Sequence, residues 1–328
     1  MTTPHDALEH EDLSAPHAQW GRIYVRNTRP RGQTSFTAER IVIIQHGATY
    51  GSLTFSLPFG GMSWMDYMAA RGFDTYCLDL PGYGRSTWPA QMDVAADLNP
   101  PFMRTPDAAD CLGTVVDFVR KRRGVAQVCL IGWSWGTAIT SYYTQTHNAD
   151  VARLALFAPV WDRTQSGPSP IHVEGRIGAY RTVDRASTLK RRQGGLDETQ
   201  KKDIMPAGWF DQWWAATAAL DPAGKGETIR APNGVVQDGA EFWNVGRPLY
   251  DPARITVPLL IAVGEWDNDT PVYMAQTLFP LFTNAAWKRL AILGGGTHSM
   301  GMERNRMLLL RTVQQFLEEA PPGPAALA

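Results

Sequence analysis

Only three cysteines, Cys77, Cys111 and Cys129, occur in 328 residues. A sparse, odd-numbered set without metal-ligand spacing excludes a disulfide framework, and two of the three lie in apolar, strand-like runs, so all read as small buried hydrophobes. Neither sign of charge is in excess: 31 Lys and Arg stand against 32 Asp and Glu, for a net charge of -1. That balance removes the electrostatic reason to expect nucleic acid as a partner and favours a small, neutral or weakly charged molecule. The basic runs Lys121-Arg122-Arg123 and Lys190-Arg191-Arg192 are short and read as solvated faces. No apolar run approaches the roughly 20 residues of a membrane-spanning helix. The first residues, with His5, Asp6, Glu9, Glu11 and Asp12, are polar and acidic where a secretory signal is basic and then apolar. The expected location is therefore cytoplasmic, without a membrane; the oligomeric state is left open. Histidine is scarce too, seven in all, and its scatter offers no metal constellation. No GxxxxGK[ST] or GxGxxG opens a helix, the run Gly294-Gly295-Gly296 included, so no phosphate loop, metal or organic cofactor is expected.

What is present is an alternation. Apolar, β-branched runs at Ile41–Gln45, Phe73–Leu80, Gln127–Gly132, Arg153–Phe157, Val257–Val263 and Arg289–Leu293 have the continuity of strands covered on both faces. Between them Met62–Arg71, Pro106–Arg123, Trp135–His147, Val272–Phe282 and Arg304–Glu318 carry helical spacing, with Gly72 and Gly124 placed as helix stops. This is the pattern of βαβ units and a mostly parallel sheet, an α/β class. An antiparallel edge strand is expected at Arg22–Val25. The alternation fails from 162 to 251, a stretch rich in Gly, Pro, Arg and Trp without a clear strand, apart from a helical look at Phe210–Ala219. It is expected to be an inserted cap on a core made of residues 21–161 and 252–320, preceded by a mobile tail, 1–20.

One motif carries chemistry. Gly132-Trp133-Ser134-Trp135-Gly136 fits GxSxG between an apolar strand and a helix, where a sharp turn pushes the central serine into the open and leaves no room for side chains two positions away. A serine hydroxyl is a weak nucleophile; it needs an imidazole to take its proton and a carboxylate to hold that imidazole. Both follow downstream at strand ends. Gly264-Glu265-Trp266-Asp267-Asn268-Asp269-Thr270-Pro271 offers Asp267 and, as the weaker choice, Asp269. Gly294-Gly295-Gly296-Thr297-His298-Ser299 offers His298. His46, in His46-Gly47-Ala48-Thr49, is assigned a structural role; the amides of Ala48 and Trp135 are candidates for an oxyanion hole, with Thr49 an alternative donor.

Together with Asp79-Leu80-Pro81-Gly82-Tyr83-Gly84-Arg85-Ser86, these motifs make residues 21–319 resemble the α/β-hydrolase superfamily. The resemblance implies an eight-stranded, mostly parallel sheet, a lid inserted after the sixth strand, and an acid four residues before a proline, the place of Asp267 before Pro271. Some members keep the acid after the sixth strand, which makes Asp162 another candidate. Ser134-Trp135-Gly136 also resembles the proline iminopeptidase branch, but the HGGPG-like loop of that branch is missing, and its substrate is not adopted.

The expected activity is hydrolysis of a carboxylic ester through an acyl-enzyme. Trp209, Trp213, Trp214 and Trp243 in the expected cap suggest an apolar or aromatic substrate, or else glue the cap to the core. Arg176, Arg181 and Arg185 could receive a carboxylate, although solvation is the plainer expectation. Lactone opening and carbon–carbon hydrolysis use the same residues, and a non-catalytic receptor is the third alternative.

Overall fold

The computed structural model describes residues 7–320 apart from 167, 168, 170, 172 and 174. Ten strands run in chain order as β1 (Leu8–His17), β2 (Gly21–Pro30), β3 (Ile41–Gln45), β4 (Asp74–Asp79), β5 (Val128–Trp133), β6 (Val151–Phe157), β7 (Tyr180–Asp184), β8 (Thr228–Pro232), β9 (Leu259–Gly264) and β10 (Lys288–Leu293). Eight of them form one sheet in the order β1-β2-β4-β3-β5-β6-β9-β10. From β4 to β10 every pairing is parallel, while β1 and β2 are antiparallel to their neighbours.

Strand β3 explains why the central strands are apolar throughout. Successive side chains point to opposite faces; Ile41 and Ile43 enter one core, Val42 and Ile44 the other. The first core is closed by Leu112, Val115 and Val116 of the helix Thr105–Arg123 and by Met274 and Leu278 of Val272–Leu278. The second is closed by Met65 and Met68 of Trp64–Ala69 and by Leu309, Val313 and Phe316 of Arg306–Glu318. Cys77, Cys111 and Cys129 are free and buried in these cores. No helix among the described residues is long and apolar enough to cross a membrane.

Three expectations are corrected. Residues 8–17, expected as part of a mobile tail, form the edge strand β1, so β2 lies one strand inside the edge; residues 1–6 lie outside the described set. The acidic residues that made the segment look like a solvated tail have cross-strand partners: Arg29 meets Glu9 at 2.8 Å and Glu11 at 2.9 Å. The basic runs are not simply solvated. Arg122 reaches Glu11 at 2.6 Å, and Arg123 meets the buried Asp74 at 2.6 Å. The segment between β6 and β9 does contain strands. β7 and β8 pair antiparallel as a separate ribbon, beside the helices Arg185–Arg192, Glu198–Ile204, Trp209–Ala218 and Gly234–Glu241. β7 is half exposed along its length, which is why it lacks the apolar continuity of the central strands.

Candidate active site

Everything at the site hangs on the end of β5. Ser134 follows the strand and precedes the helix Trp135–Thr144 with φ 57° and ψ -124°, a conformation rarely adopted by a residue with a side chain and held only where surroundings dictate it. The surroundings here are backbone. A Cβ on Gly132 would lie 2.5 Å from the carbonyl oxygen of Gly136, and one on Gly136 would lie 2.5 Å from that of Gln45. Gly47 is as tightly placed, since its Cβ would fall 2.8 Å from Cβ of Ser134. The helix is thereby pressed onto the end of β3, and the Ser134 amide donates to the Phe157 carbonyl at 2.9 Å.

His298 lies between β10 and the last helix. Its Nδ1 stands 2.9 Å from Oδ2 and 3.1 Å from Oδ1 of Asp267. A carboxylate only accepts, so Nδ1 carries the proton and Nε2 keeps its lone pair. Asp267 is fixed in turn by the amides of Asp269 and Thr270, at 2.9 and 2.7 Å, and by the Thr270 hydroxyl at 2.9 Å. The indole of Trp133, next to the serine, donates to the His298 carbonyl at 2.9 Å; a tryptophan at that position ties the elbow to the histidine loop. Below the loop Glu303 accepts from both the amide and the hydroxyl of Thr297. Burial pushes the Glu303 carboxyl up to about 7, against the lowering effect of those bonds and of Arg192.

Asp162, the alternative acid, instead accepts from the amide and hydroxyl of Thr164 in a local turn. Asp269 faces the other ring nitrogen, with Oδ2 at 3.9 Å from Nε2 of His298. Burial alone would raise its carboxyl, but Arg191 and His298 bring it below the ordinary value.

Ser134, Ala48 and Trp135 line one cavity of about 350 Å³ together with Asp269 and Thr270, small for a ligand pocket. Trp135 is the first residue of its helix, where the amide has no intrahelical acceptor. Thr49 lies outside that wall, and its hydroxyl accepts from Arg181 at 2.5 Å. His46 is buried behind it. Its Nε2 accepts from the Leu80 amide at 3.1 Å, so Nδ1 carries the proton given to the Gly47 carbonyl at 2.7 Å, and burial lowers its affinity for a second proton despite the nearby Asp79. Asp79, from the Asp79–Ser86 loop, accepts from Ser52 and from the Arg85 amide.

A family model described as alpha/beta hydrolase family matches residues 41–308. The chain is an α/β hydrolase. No curated protein sequence matches it, but solved structures do. A putative lipase from Acinetobacter baumannii AYE aligns with TM-score 0.60 at 15% identity, over 95% of this chain and 92% of the other. An esterase from Exiguobacterium antarcticum gives 0.59 at 18%, over 94% and 100%. A protein described as an N-acyl homoserine lactone degrading enzyme gives 0.62 at 14%, over 93% and 100%. These likenesses are of fold.

In this α/β hydrolase some of the surroundings were not foreseen. Of the four tryptophans, Trp243 lines the cavity, whereas Trp209, Trp213 and Trp214 pack with Tyr50, Phe59 and Phe210 away from it. Arg163 and Arg191 line the cavity as well, a correction for Arg191, whose run Lys190-Arg191-Arg192 has the charge pattern of a solvated face. Thr188, Arg191 and Arg192 are spaced three and four apart on one helix face, and Thr188 is buried under the Tyr50 hydroxyl at 2.9 Å; that this face turns inward depends on the fold of the segment and is not written in the spacing alone.

Proposed function

We propose that the chain hydrolyses carboxylic esters of small molecules through a covalent acyl-enzyme on Ser134. The observation that carries this reading is the Asp267–His298 contact, on a loop that Trp133 ties to the elbow, together with a serine held at φ 57° in the wall of a cavity. His298 Nε2 takes the hydroxyl proton as Ser134 Oγ bonds to the carbonyl carbon. The amides of Ala48 and Trp135 receive the oxyanion, and each such donor contributes about 2.7–4 kcal/mol to lowering the barrier. The C–O bond to the alcohol breaks, the alcohol leaving with the proton from His298. Water then repeats the sequence on the acyl-enzyme and releases the acid. Asp267 stays ionised throughout, holding the tautomer and the imidazolium. Residues 162–251 serve as the cap, which narrows the cavity over Ser134.

Lactones are a close variant, since a cyclic ester passes through the same intermediate; the fold likeness to a lactone-degrading protein favours including them. The test is hydrolysis of para-nitrophenyl esters and a lactone panel, with fluorophosphonate labelling read by intact mass, for the native chain and Ser134→Ala. Loss of label and of about 10⁶ in kcat is expected. Labelling of another residue, or activity surviving the substitution, would overturn the assignment.

A further inference from the structure

Ester hydrolysis asks for no guanidinium group, yet two line this cavity and two more lie close enough to feel the charge of Arg191. Arg163 follows β6 and Arg191 lies in the last turn of Arg185–Arg192; both line the wall with Ser134. Arg192 stands behind it, 3.9 Å over the Trp213 ring and 2.5 Å from the hydroxyl of Ser299, the neighbour of His298. Arg181 reaches the hydroxyl of Thr49, next to Ala48. Burial lowers the proton affinity of Arg163, Arg181 and Arg192, the last to about 10; a guanidinium nonetheless keeps its charge at neutral pH.

The anions nearby do not balance them. Asp267 is taken up by His298 and Thr270, and Glu303 is held under Thr297 with its carboxyl raised towards neutrality. Among the described residues Asp269 is the one carboxylate ion-paired with any of these arginines, and its Oδ2 already takes both Nε and Nη2 of Arg191, at 2.9 and 2.7 Å. Among the described residues the Arg163 guanidinium donates only to the backbone carbonyl of Asp269, at 2.6 Å. Among the described residues its Nε, and Nε and Nη2 of Arg192, are buried without a hydrogen-bond partner. Buried unpaired donors and crowded like charges are both costly, and an incoming anion relieves both.

Resting on the ester-hydrolase reading of Ser134, we propose that the substrate carries a carboxylate, received by Arg163 and Arg191 while its ester carbonyl meets the serine. Guanidinium forks suit planar carboxylates. The remaining wall, with Val160, Val235, Val236 and Trp243, fits a hydrocarbon or aromatic body between the two groups. Substrates of this class are half-esters of dicarboxylic acids, or esters of hydroxy acids.

The test uses matched pairs that differ only in charge. One pair is para-acetoxybenzoate and its methyl ester, the other the mono-para-nitrophenyl ester of terephthalic acid and its methyl ester, which place the carboxylate on the alcohol and the acyl side. In at least one pair kcat/KM should favour the carboxylate by about tenfold to a hundredfold, through KM, and the ratio should shrink with added salt and in Arg163→Gln. Terephthalate should bind Ser134→Ala calorimetrically and bind the Ser134→Ala, Arg163→Gln chain at least about tenfold more weakly. Neutral esters preferred in both pairs, with no terephthalate binding, would sink the proposal and leave the hydrolase reading standing. A preference unmoved by salt and by the substitution would sink it too. Terephthalate binding with no ester hydrolysed would remove the hydrolase reading and keep the anion site.

Discussion

Replacement of Gly136 by alanine tests whether the elbow is as closed as its geometry states. The added Cβ would stand 2.5 Å from the Gln45 carbonyl oxygen and 2.7 Å from that of His46, whereas ordinary contacts begin near 3.4 Å. Both obstacles are backbone at the end of β3, so no side chain can swing away. The helix Trp135–Thr144 has to retreat by about 1 Å, carrying Ser134 and the Trp135 amide with it. A displacement of that size costs about 10² in kcat, and overpacking of this kind about 1–3 kcal/mol in stability. The contrast is Gly239→Ala, in the helix Gly234–Glu241, where the nearest neighbour would be at 3.7 Å; it should gain about 0.5–1 kcal/mol. Denaturant unfolding gives the stabilities and para-nitrophenyl acetate turnover the rates. Gly136→Ala within twofold of the native kcat and with an unchanged unfolding midpoint would refute the reasoning.

Asp267→Asn should keep the fold and lower kcat by about 10⁴, because the imidazole loses the partner that fixes its tautomer; a stopped assay with the acetate ester measures it, and Asp269, facing Nε2, should not rescue the variant. Glu303 gives the stability a pH slope. Its folded carboxyl titrates near 7 instead of 4.5, so the folded chain holds the extra proton between those values and stability is lost as pH rises through that window, by up to about 3 kcal/mol. Denaturant unfolding from pH 4.5 to 7 should show that slope flattened in Glu303→Gln, and an unaltered slope would mean that Glu303 is ionised throughout.

The parallel strands were legible because their burial on both faces writes itself as continuous apolar sequence; Ile41–Gln45 is found with the same limits in both. The elbow was legible because its glycines answer to backbone packing. β1 was not, since Glu9 and Glu11 reveal their partners only when Arg29 lies across from them. The alignment of Asp267 and His298 could be read from two strand ends; the gathering of Arg163, Arg191 and Asp269 could not, because it depends on how the segment between β6 and β9 folds back.

That division has a bearing on how such a protein changes through descent. The groups that would break a bond are locked by main-chain contacts in which Gly47, Gly132 and Gly136 admit no substituent, so drift there is nearly forbidden. The cations reach the same cavity as side chains on the excursion between β6 and β9, with Arg163 at its start and Arg191 on a short helix. Exchange of a few residues on that excursion can retune what is admitted while the bond-breaking apparatus is inherited intact, and selectivity is therefore the freer of the two traits.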